Sequence, residues 1–165
     1  MASKAEIQSL TRRFAAVGAS DPESWARSQL EEGIPQLARF LFLRQAWQQV
    51  VPEDDPSWIS AEIEAAVDEP DAPLAGVGHA LARLKAAGAS DDDLTDLVRG
   101  MQAHLLSGLC YLLEDPGLDA EPEAADVSWA LCQLTEEGAL LINGLHESVL
   151  ETDPTGREMR PRHPA

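Results

Sequence analysis

The sequence is poor in aromatic residues and has no long apolar run. Aromatic residues make up 5% of its 165 positions, while alanine, leucine, glutamate and glutamine are plentiful, a composition that favours helices over sheets. The longest apolar stretch, LLSGLCYLL at positions 105–113, is too short to span a bilayer, and no basic leader precedes an apolar run at the N-terminus. We therefore expect a cytoplasmic protein that does not associate with a membrane.

Cysteine is also scarce, since Cys110 and Cys132 are the only two. With no second pair there is no disulfide framework and no zinc-finger spacing, so reduced structural thiols are expected. The sequence also lacks an HExxH helix, a CxxC pair, a phosphate-binding loop and a GxSxG elbow. We assign no metal, no cofactor and no catalytic residue, and a non-enzymatic function is favoured over catalysis.

Basic residues are absent from most of the second half of the chain. The formal net charge is −17, and no lysine or arginine lies between Arg99 and Arg157, where eleven acidic residues occur. A field of this sign repels nucleic acid and anionic membranes and speeds encounter with a basic partner. The sequence therefore predicts no direct nucleic-acid binding and favours a basic protein as the partner.

The capping signals and the spacing of apolar residues predict mainly helices. Ser3 and Glu6 are spaced as a capping box ahead of a first helix that Gly18 can close, and Pro22 and Gly33 bracket a second helix. We predict a third helix over 35–51, in which Arg44 projects into the apolar stripe. Its stem is expected to pack there while the guanidinium reaches water, and the alternative is a buried ion pair or a ligand contact; in either case it needs a partner.

Further helices are predicted over 56–67, around 74–84, and from Ser90 onward. The last of these has an apolar stripe, which we take to face the interior as the central helix of the core; its members are Leu94, Leu97, Val98, Met101, Leu105, Leu109 and Leu112. The segment at 127–150 fits either a helix or two short strands, and the turn around Thr135–Gly138 favours a hairpin.

These elements predict a mainly α fold. We expect a single-domain bundle of about five to six helices over 1–156, with a small C-terminal β-hairpin as an option. Residues 157–165 form a short basic tail, in which Arg157 docks and the last residues are flexible.

Acidic runs are the candidate partner-binding residues. Those at 53–55 and 91–93 precede helices, where carboxylates also cap free N–H groups, and a third group lies in the loop after Pro116. The candidates are Glu53, Asp54, Asp55, Asp91, Asp92, Asp93, Asp119, Glu121 and Glu123.

A small-ligand or catalytic pocket is the alternative. Its candidate residues are Arg44, His104, His146 and Glu147, with Trp47, Trp58 or Trp129 as walls, because an imidazole beside a carboxylate can move a proton. The pocket requires these residues to converge in one cleft.

Three functions follow from these observations. The first is a small acidic module that sequesters or adapts a basic protein, as bacterial immunity proteins, antitoxins and inhibitors do; this is an analogy of size and charge. The second is a ligand-binding protein or enzyme that uses the pocket. The third is a homo-oligomer, which requires Trp25, Phe42 or Trp58 to form an exposed apolar patch.

Overall fold

A computed structural model describes residues 2–117, 122 and 126–162, and it confirms a mainly α fold. The elements in chain order are α1 Lys4–Ala16, α2 Pro22–Glu32, α3 Gln36–Trp47, α4 Ser57–Asp68, α5 Ala75–Ala86, α6 Asp91–Glu114, β1 Cys132–Thr135, β2 Gly138–Leu141 and α7 Leu145–Ser148. The chain divides into two compact units, Met1–Gln48 with Leu105–Ala165 and Gln49–His104. The single-domain assignment stays a prediction.

The ends of α1 and α2 follow the predicted signals. The Ser3 hydroxyl accepts from the Glu6 N–H at 3.2 Å while the Glu6 carboxylate accepts from the Ser3 N–H at 2.7 Å, which completes the capping box. Pro22 opens α2, and Gly33 ends it in the left-handed conformation with φ 74°.

An aromatic cluster forms the core that α1, α2 and α3 share. Phe14 stacks on Trp25 with ring centroids 6.0 Å apart, and Phe40 meets Trp25 edge-on at 5.5 Å. Leu10 and Ala26 complete the buried cluster. Each aromatic pair adds about 0.5–1.5 kcal/mol beyond the burial of its area, so these contacts stabilise the packing of the three helices.

Helix α3 differs from the prediction in its end and in its buried cation. It ends at Trp47 and does not continue to Val51, because the Val51 N–H is taken by the Gln102 side chain at 2.8 Å. Arg44 is exposed, so of the two expected arrangements a buried ion pair is excluded, and a stem that packs while the guanidinium reaches water stays a prediction. The cation that α3 buries is Arg39.

The predicted C-terminal hairpin is confirmed. Strands β1 and β2 are antiparallel, with Cys132 opposite Leu141 and Thr135 opposite Gly138. The one-turn helix α7 follows, and α3 holds its end because the Trp47 indole Nε1–H donates to the Val149 carbonyl at 2.8 Å.

The second unit has a small core of its own. Ile59, Leu81 and Leu94 are its buried cluster. Helices α4 and α5 approach closely at Gly78, where a Cβ would collide with the Glu62 carbonyl oxygen. Glycine is therefore required at this crossing.

Helix α6 is not the central helix of a core as predicted. Leu94 is buried and Val98 half-buried, but the other five members of its apolar stripe are exposed: Leu97, Met101, Leu105, Leu109 and Leu112. The buried positions lie on a different side of the helix and include polar and small residues, namely Thr95, Arg99, Ala103 and Cys110. The periodicity located the apolar face correctly, but the described part of the chain covers that face only at the start of the helix, around Leu94.

The start of the basic tail is folded around one buried carboxylate. Asp153, 4% exposed, accepts from the Thr155 hydroxyl at 2.7 Å and from the Met159 N–H at 3.1 Å. Arg157 is half-buried and donates from Nη1 to the Arg160 carbonyl. Flexibility was predicted from Pro161 onward and stays a prediction, and positions 163–165 lie outside the described residues. Within the described ranges, no helix combines the length and the apolar character needed to cross a membrane.

Candidate functional site

A buried arginine organises one end of the first unit. Arg39 is 9% exposed; its guanidinium lies 5.3 Å from the centroid of the Trp25 ring, and Nη1 donates to the Asn143 carbonyl at 3.0 Å. Burial lowers the pKa of Arg39, and the charges of acidic residues, Glu147 and Glu151 foremost, act in the opposite direction. The arginine thus ties α3 to the turn before α7 and lies within the field of several carboxylates.

Gly144 is required where this arginine meets the chain. Its φ is 75°, a left-handed conformation that side chains disfavour. A Cβ there would also collide with the Arg39 guanidinium. The glycine lets the backbone approach the cation closely.

Next to this turn, Glu114 and Tyr111 hold His146 from two directions. The Glu114 carboxylate accepts from the backbone N–H of Leu145 and of His146, and it also contacts the His146 ring at Nδ1. The Tyr111 ring stacks on the imidazole with centroids 4.2 Å apart. Because Tyr111 and Glu114 lie three positions apart in α6, one turn of helix presents both groups.

These residues border a cleft of about 610 Å³. Of the predicted pocket residues, His146 and Glu147 line it, together with Gly33, Ile34, Pro35, Glu114, Leu141, Asn143 and Gly144. Arg44 does not line this cleft, and His104 is exposed and belongs to the second unit. The carboxylate that contacts the imidazole is Glu114, whereas the sequence had suggested the adjacent Glu147.

The cleft can hold and move a proton but offers little else for catalysis. A carboxylate and an imidazole in contact are suited to general acid–base chemistry. Among the described lining residues there is no serine, threonine, cysteine or lysine to act as a nucleophile. In the part of the chain that the structure describes, no group of three or more His, Cys, Asp or Glu side chains could hold a metal ion.

The predicted tryptophan walls are placed elsewhere. Trp47 is buried against Val149, Trp58 belongs to the second unit, and Trp129 donates to the Leu112 carbonyl at 2.8 Å. None of the three lines the cleft beside His146.

Most of the acidic candidates that precede helices have roles within the second unit. The Glu53 carboxylate lies 3.9 Å from Arg99 Nε. Asp55 accepts from the Ser57 N–H at 2.9 Å, and the Ser57 side chain, followed by this backbone bond, lowers the pKa of the Asp55 carboxyl. Asp54 is exposed.

The second acidic run shows the same pattern. Asp91 pairs with Lys85 at 2.6 Å, and Asp93 accepts from the Ser90 hydroxyl at 2.6 Å while its N–H donates back at 3.0 Å. Asp92 is exposed. The three remaining candidates, Asp119, Glu121 and Glu123, lie outside the described residues. Partner binding by these acids stays a prediction.

A more distinctive feature is an exposed apolar surface at the C-terminal side of the first unit. We call it the C-terminal apolar surface and define it by Leu105, Leu109, Leu112, Val127, Trp129, Leu134, Leu140 and Leu141, all at least 45% exposed. The indole bond to Leu112 joins Trp129 to the end of α6. Leu141 lines the same cleft as Glu114, which is also at the end of α6. Part of the hairpin segment therefore lies beside the end of α6, while within the hairpin Leu134 and Leu141 share one face and Leu140 lies on the other.

Carboxylates accompany this surface without any lysine or arginine from the same stretch of chain. Asp115 follows α6, Asp126 precedes Val127, and Glu136 and Glu137 form the hairpin turn; all four are exposed. No basic residue occurs between Arg99 and Arg157. The stretch of chain that carries the apolar surface is consequently anionic.

No protein-family model, curated protein or solved structure matches this chain. Its function is therefore argued from the chemistry of its own surfaces.

Two of the organising residues, Arg39 and Glu114, were missed in the sequence. At about 100° per residue, Arg39 lies about 40° outside one edge of the arc that the buried Gln36, Phe40, Leu43 and Trp47 occupy on α3, and Arg44 lies about 40° outside the other edge. The angular positions therefore do not distinguish the two arginines. Glu114 left no signal either, because its partners are backbone groups some thirty positions later in the chain.

Proposed function

We propose that the chain is a protein-binding module that takes up a basic partner protein through the C-terminal apolar surface. The observation that carries the proposal is the exposure of this surface: Leu134 is 83% and Leu105 64% exposed. Large exposed apolar patches usually mark interaction sites. The partner's side is expected to combine apolar side chains with lysine or arginine.

Charge determines the class of partner. Binding of a second copy would bring together acidic residues such as Asp115, Glu136 and Glu137, whereas a basic segment would complement them. The same sign disfavours nucleic acid. The helix-head acids of the second unit add to the long-range field that speeds association.

The tryptophans and phenylalanine that a homo-oligomer would need do not form an exposed patch. Trp25 is buried, and Phe42 and Trp58 are half-buried. The exposed apolar side chains belong instead to the acidic part of the chain. This distribution favours a heterologous partner over self-association.

The proposal is tested with model peptides of defined chemistry. A helical peptide with leucine on one face and lysine on the other is compared with a leucine–glutamate peptide of the same pattern. A scrambled leucine–lysine peptide retains the charge but disperses the apolar face. Fluorescence anisotropy is expected to show binding of the first peptide only, and that binding weakens between about 0.1 M and about 1 M salt, where the Debye length falls from about 10 Å to about 3 Å.

Matched variants locate the binding surface. Leu105→Ser and Leu134→Ser are each expected to weaken the peptide complex at least about tenfold, since burial of one leucine contributes about 1.5–3 kcal/mol. Val67→Ser is the control, because Val67 is 71% exposed but belongs to the second unit. Equal binding by all three variants, or equal binding of the scrambled peptide, would overturn the proposal.

A second candidate function rests on the contact between Glu114 and His146 in the cleft of about 610 Å³. This arrangement suits general acid–base chemistry on a small bound ligand. The test is a metabolite screen by thermal shift, with His146→Asn as the variant in which a genuine hit loses its stabilisation. A hit that stabilises the variant equally does not bind at His146.

A further inference from the structure

A second, smaller cleft lies between α2 and α3, and two of its lining residues, Gln36 and Arg39, each have one buried polar atom without a hydrogen-bond partner in the described part of the chain. It has a volume of about 260 Å³, and its lining includes Trp25, Ser28, Glu32, Gln36, Arg39 and Glu151. None of these residues belongs to the C-terminal apolar surface, so a ligand in this cleft is independent of the proposed protein-binding function.

The two unpartnered atoms are one acceptor and one donor. Gln36 Oε1 and Arg39 Nε are buried and make no hydrogen bond to the described part of the chain, although the two residues are only 4% and 9% exposed. The other ends of both side chains are fixed, because Gln36 Nε2 donates to the Ser28 hydroxyl at 2.7 Å and Arg39 Nη1 donates to the Asn143 carbonyl at 3.0 Å. Buried polar groups normally have hydrogen-bond partners. A ligand that supplies an acceptor to Arg39 Nε and a donor to Gln36 Oε1 therefore gains affinity.

The charges at the mouth restrict the ligand further. Glu32 and Glu151 line the cleft and are exposed. A simple anion would meet these two carboxylates and leave Gln36 Oε1 without a donor. A simple cation would leave Arg39 Nε without an acceptor and would lie near the guanidinium charge. A small molecule with an ammonium and a carboxylate on neighbouring atoms satisfies both requirements.

We propose that this cleft binds a free α-amino acid. The carboxylate accepts from Arg39 Nε and from the Ser28 hydroxyl, whose oxygen already accepts from Gln36. The ammonium donates to Gln36 Oε1 and faces the carboxylates of Glu32 and Glu151. A volume of about 260 Å³ suits a ligand with a short side chain.

The test follows the Arg39 Nε–H resonance by NMR while three matched ligands are titrated. Alanine carries both charged groups, propionate lacks the ammonium, and ethylamine lacks the carboxylate. Alanine is expected to shift the resonance saturably, and the other two should bind at least about tenfold more weakly, because each leaves one buried atom unpaired. No shift with alanine, or equal affinity for all three, would overturn the proposal.

Variants assign the binding to this cleft. The double variant Glu32→Gln with Glu151→Gln changes two exposed side chains, so the fold is retained while alanine affinity falls about tenfold or more. Glu31→Gln is the control, because Glu31 is the neighbouring exposed acid and pairs with Arg27 at 3.5 Å. Gln36→Leu removes the unpaired acceptor and is expected to abolish binding. Unchanged affinity in the double variant or in Gln36→Leu would show that alanine binds elsewhere.

Discussion

Two apolar regions of the first unit differ in their exposure to solvent. The aromatic cluster of Phe14, Trp25 and Phe40 is buried between three helices. The C-terminal apolar surface has side chains of similar hydrophobicity, yet its members are at least 45% exposed. Amphipathic patterning decides which side of an element is apolar, and only the rest of the fold decides whether that side is covered.

The polar neighbours of the two regions explain their different roles. Next to the aromatic cluster lies the buried cation Arg39, which binds a carbonyl and thereby fixes the turn before α7. Next to the C-terminal apolar surface lie exposed carboxylates such as Glu136 and Glu137. The first region therefore supports the fold, and the second is the surface that we propose for partner binding.

The largest expected effect compares one leucine from each region. Leu10→Ala removes a side chain that is 6% exposed, and Leu134→Ala removes one that is 83% exposed. We expect Leu10→Ala to lower the free energy of unfolding by about 2–5 kcal/mol and Leu134→Ala to change it by less than about 0.5 kcal/mol. Urea denaturation measures both. A large loss for Leu134→Ala would show that this leucine is covered in solution, which would remove the contrast.

The second prediction concerns the contact between Gly144 and the buried cation. Gly144→Ala is compared with Gly33→Ala, because the two glycines have nearly equal φ angles, 75° and 74°, and only Gly144 has a neighbour that a Cβ would meet. The left-handed conformation alone costs an alanine about 1–2 kcal/mol. Displacement of Arg39 is expected to add at least about 1 kcal/mol in Gly144→Ala. Equal losses in thermal denaturation would mean that Arg39 moves aside without cost.

The third prediction asks which carboxylate supports His146 beside the apolar surface. Glu114→Gln retains the shape but removes the charge that two backbone N–H groups share, so a loss of about 1–2 kcal/mol is expected. Glu147→Gln changes an exposed neighbour and is expected to cost less than about 0.5 kcal/mol. The imidazole resonances of His146 should shift clearly in the first variant. A larger loss of stability in Glu147→Gln than in Glu114→Gln would support Glu147 as the carboxylate that holds His146, as the sequence suggested.

Local signals in the sequence predicted local structure well. The capping box at Ser3, the start at Pro22, the stop at Gly33 and the hairpin around Thr135–Gly138 are all confirmed. These features depend on hydrogen bonds and backbone preferences within a few residues, which a sequence displays directly.

The predictions that were wrong depended on contacts between residues far apart in the sequence. The apolar stripe of α6 was expected in a core, but a stripe does not reveal whether another element packs on it. The end of α3 was placed too late, because Val51 is held by side chains about fifty positions further along. Glu114 was missed as a site residue because its partners are the backbone of Leu145 and His146. Each error concerns which groups meet, not which element forms.

The smallest expected effect tests the boundary between covered and uncovered sides within a single turn of α6. Cys110 is fully buried while its neighbour Leu109 is 47% exposed, and burial, assisted by the charge of Glu114, raises the pKa of the Cys110 thiol from 9.0 to about 11. The native state therefore retains a proton that the unfolded chain has lost between these pH values, so stability is full below about pH 9 and falls as the pH rises towards 11.

Cys110→Ala serves as the reference for this pH dependence, since tyrosine and lysine titrate in both proteins and their contributions cancel in the difference. Urea denaturation from pH 8 to 11 should show the two stabilities converging or crossing as the wild type loses its advantage. At neutral pH, iodoacetamide is expected to modify the half-buried Cys132 first, because alkylation requires an accessible thiolate. Parallel stability curves together with equal alkylation of the two thiols would mean that the side of α6 that carries Cys110 is as open to solvent as its leucine stripe.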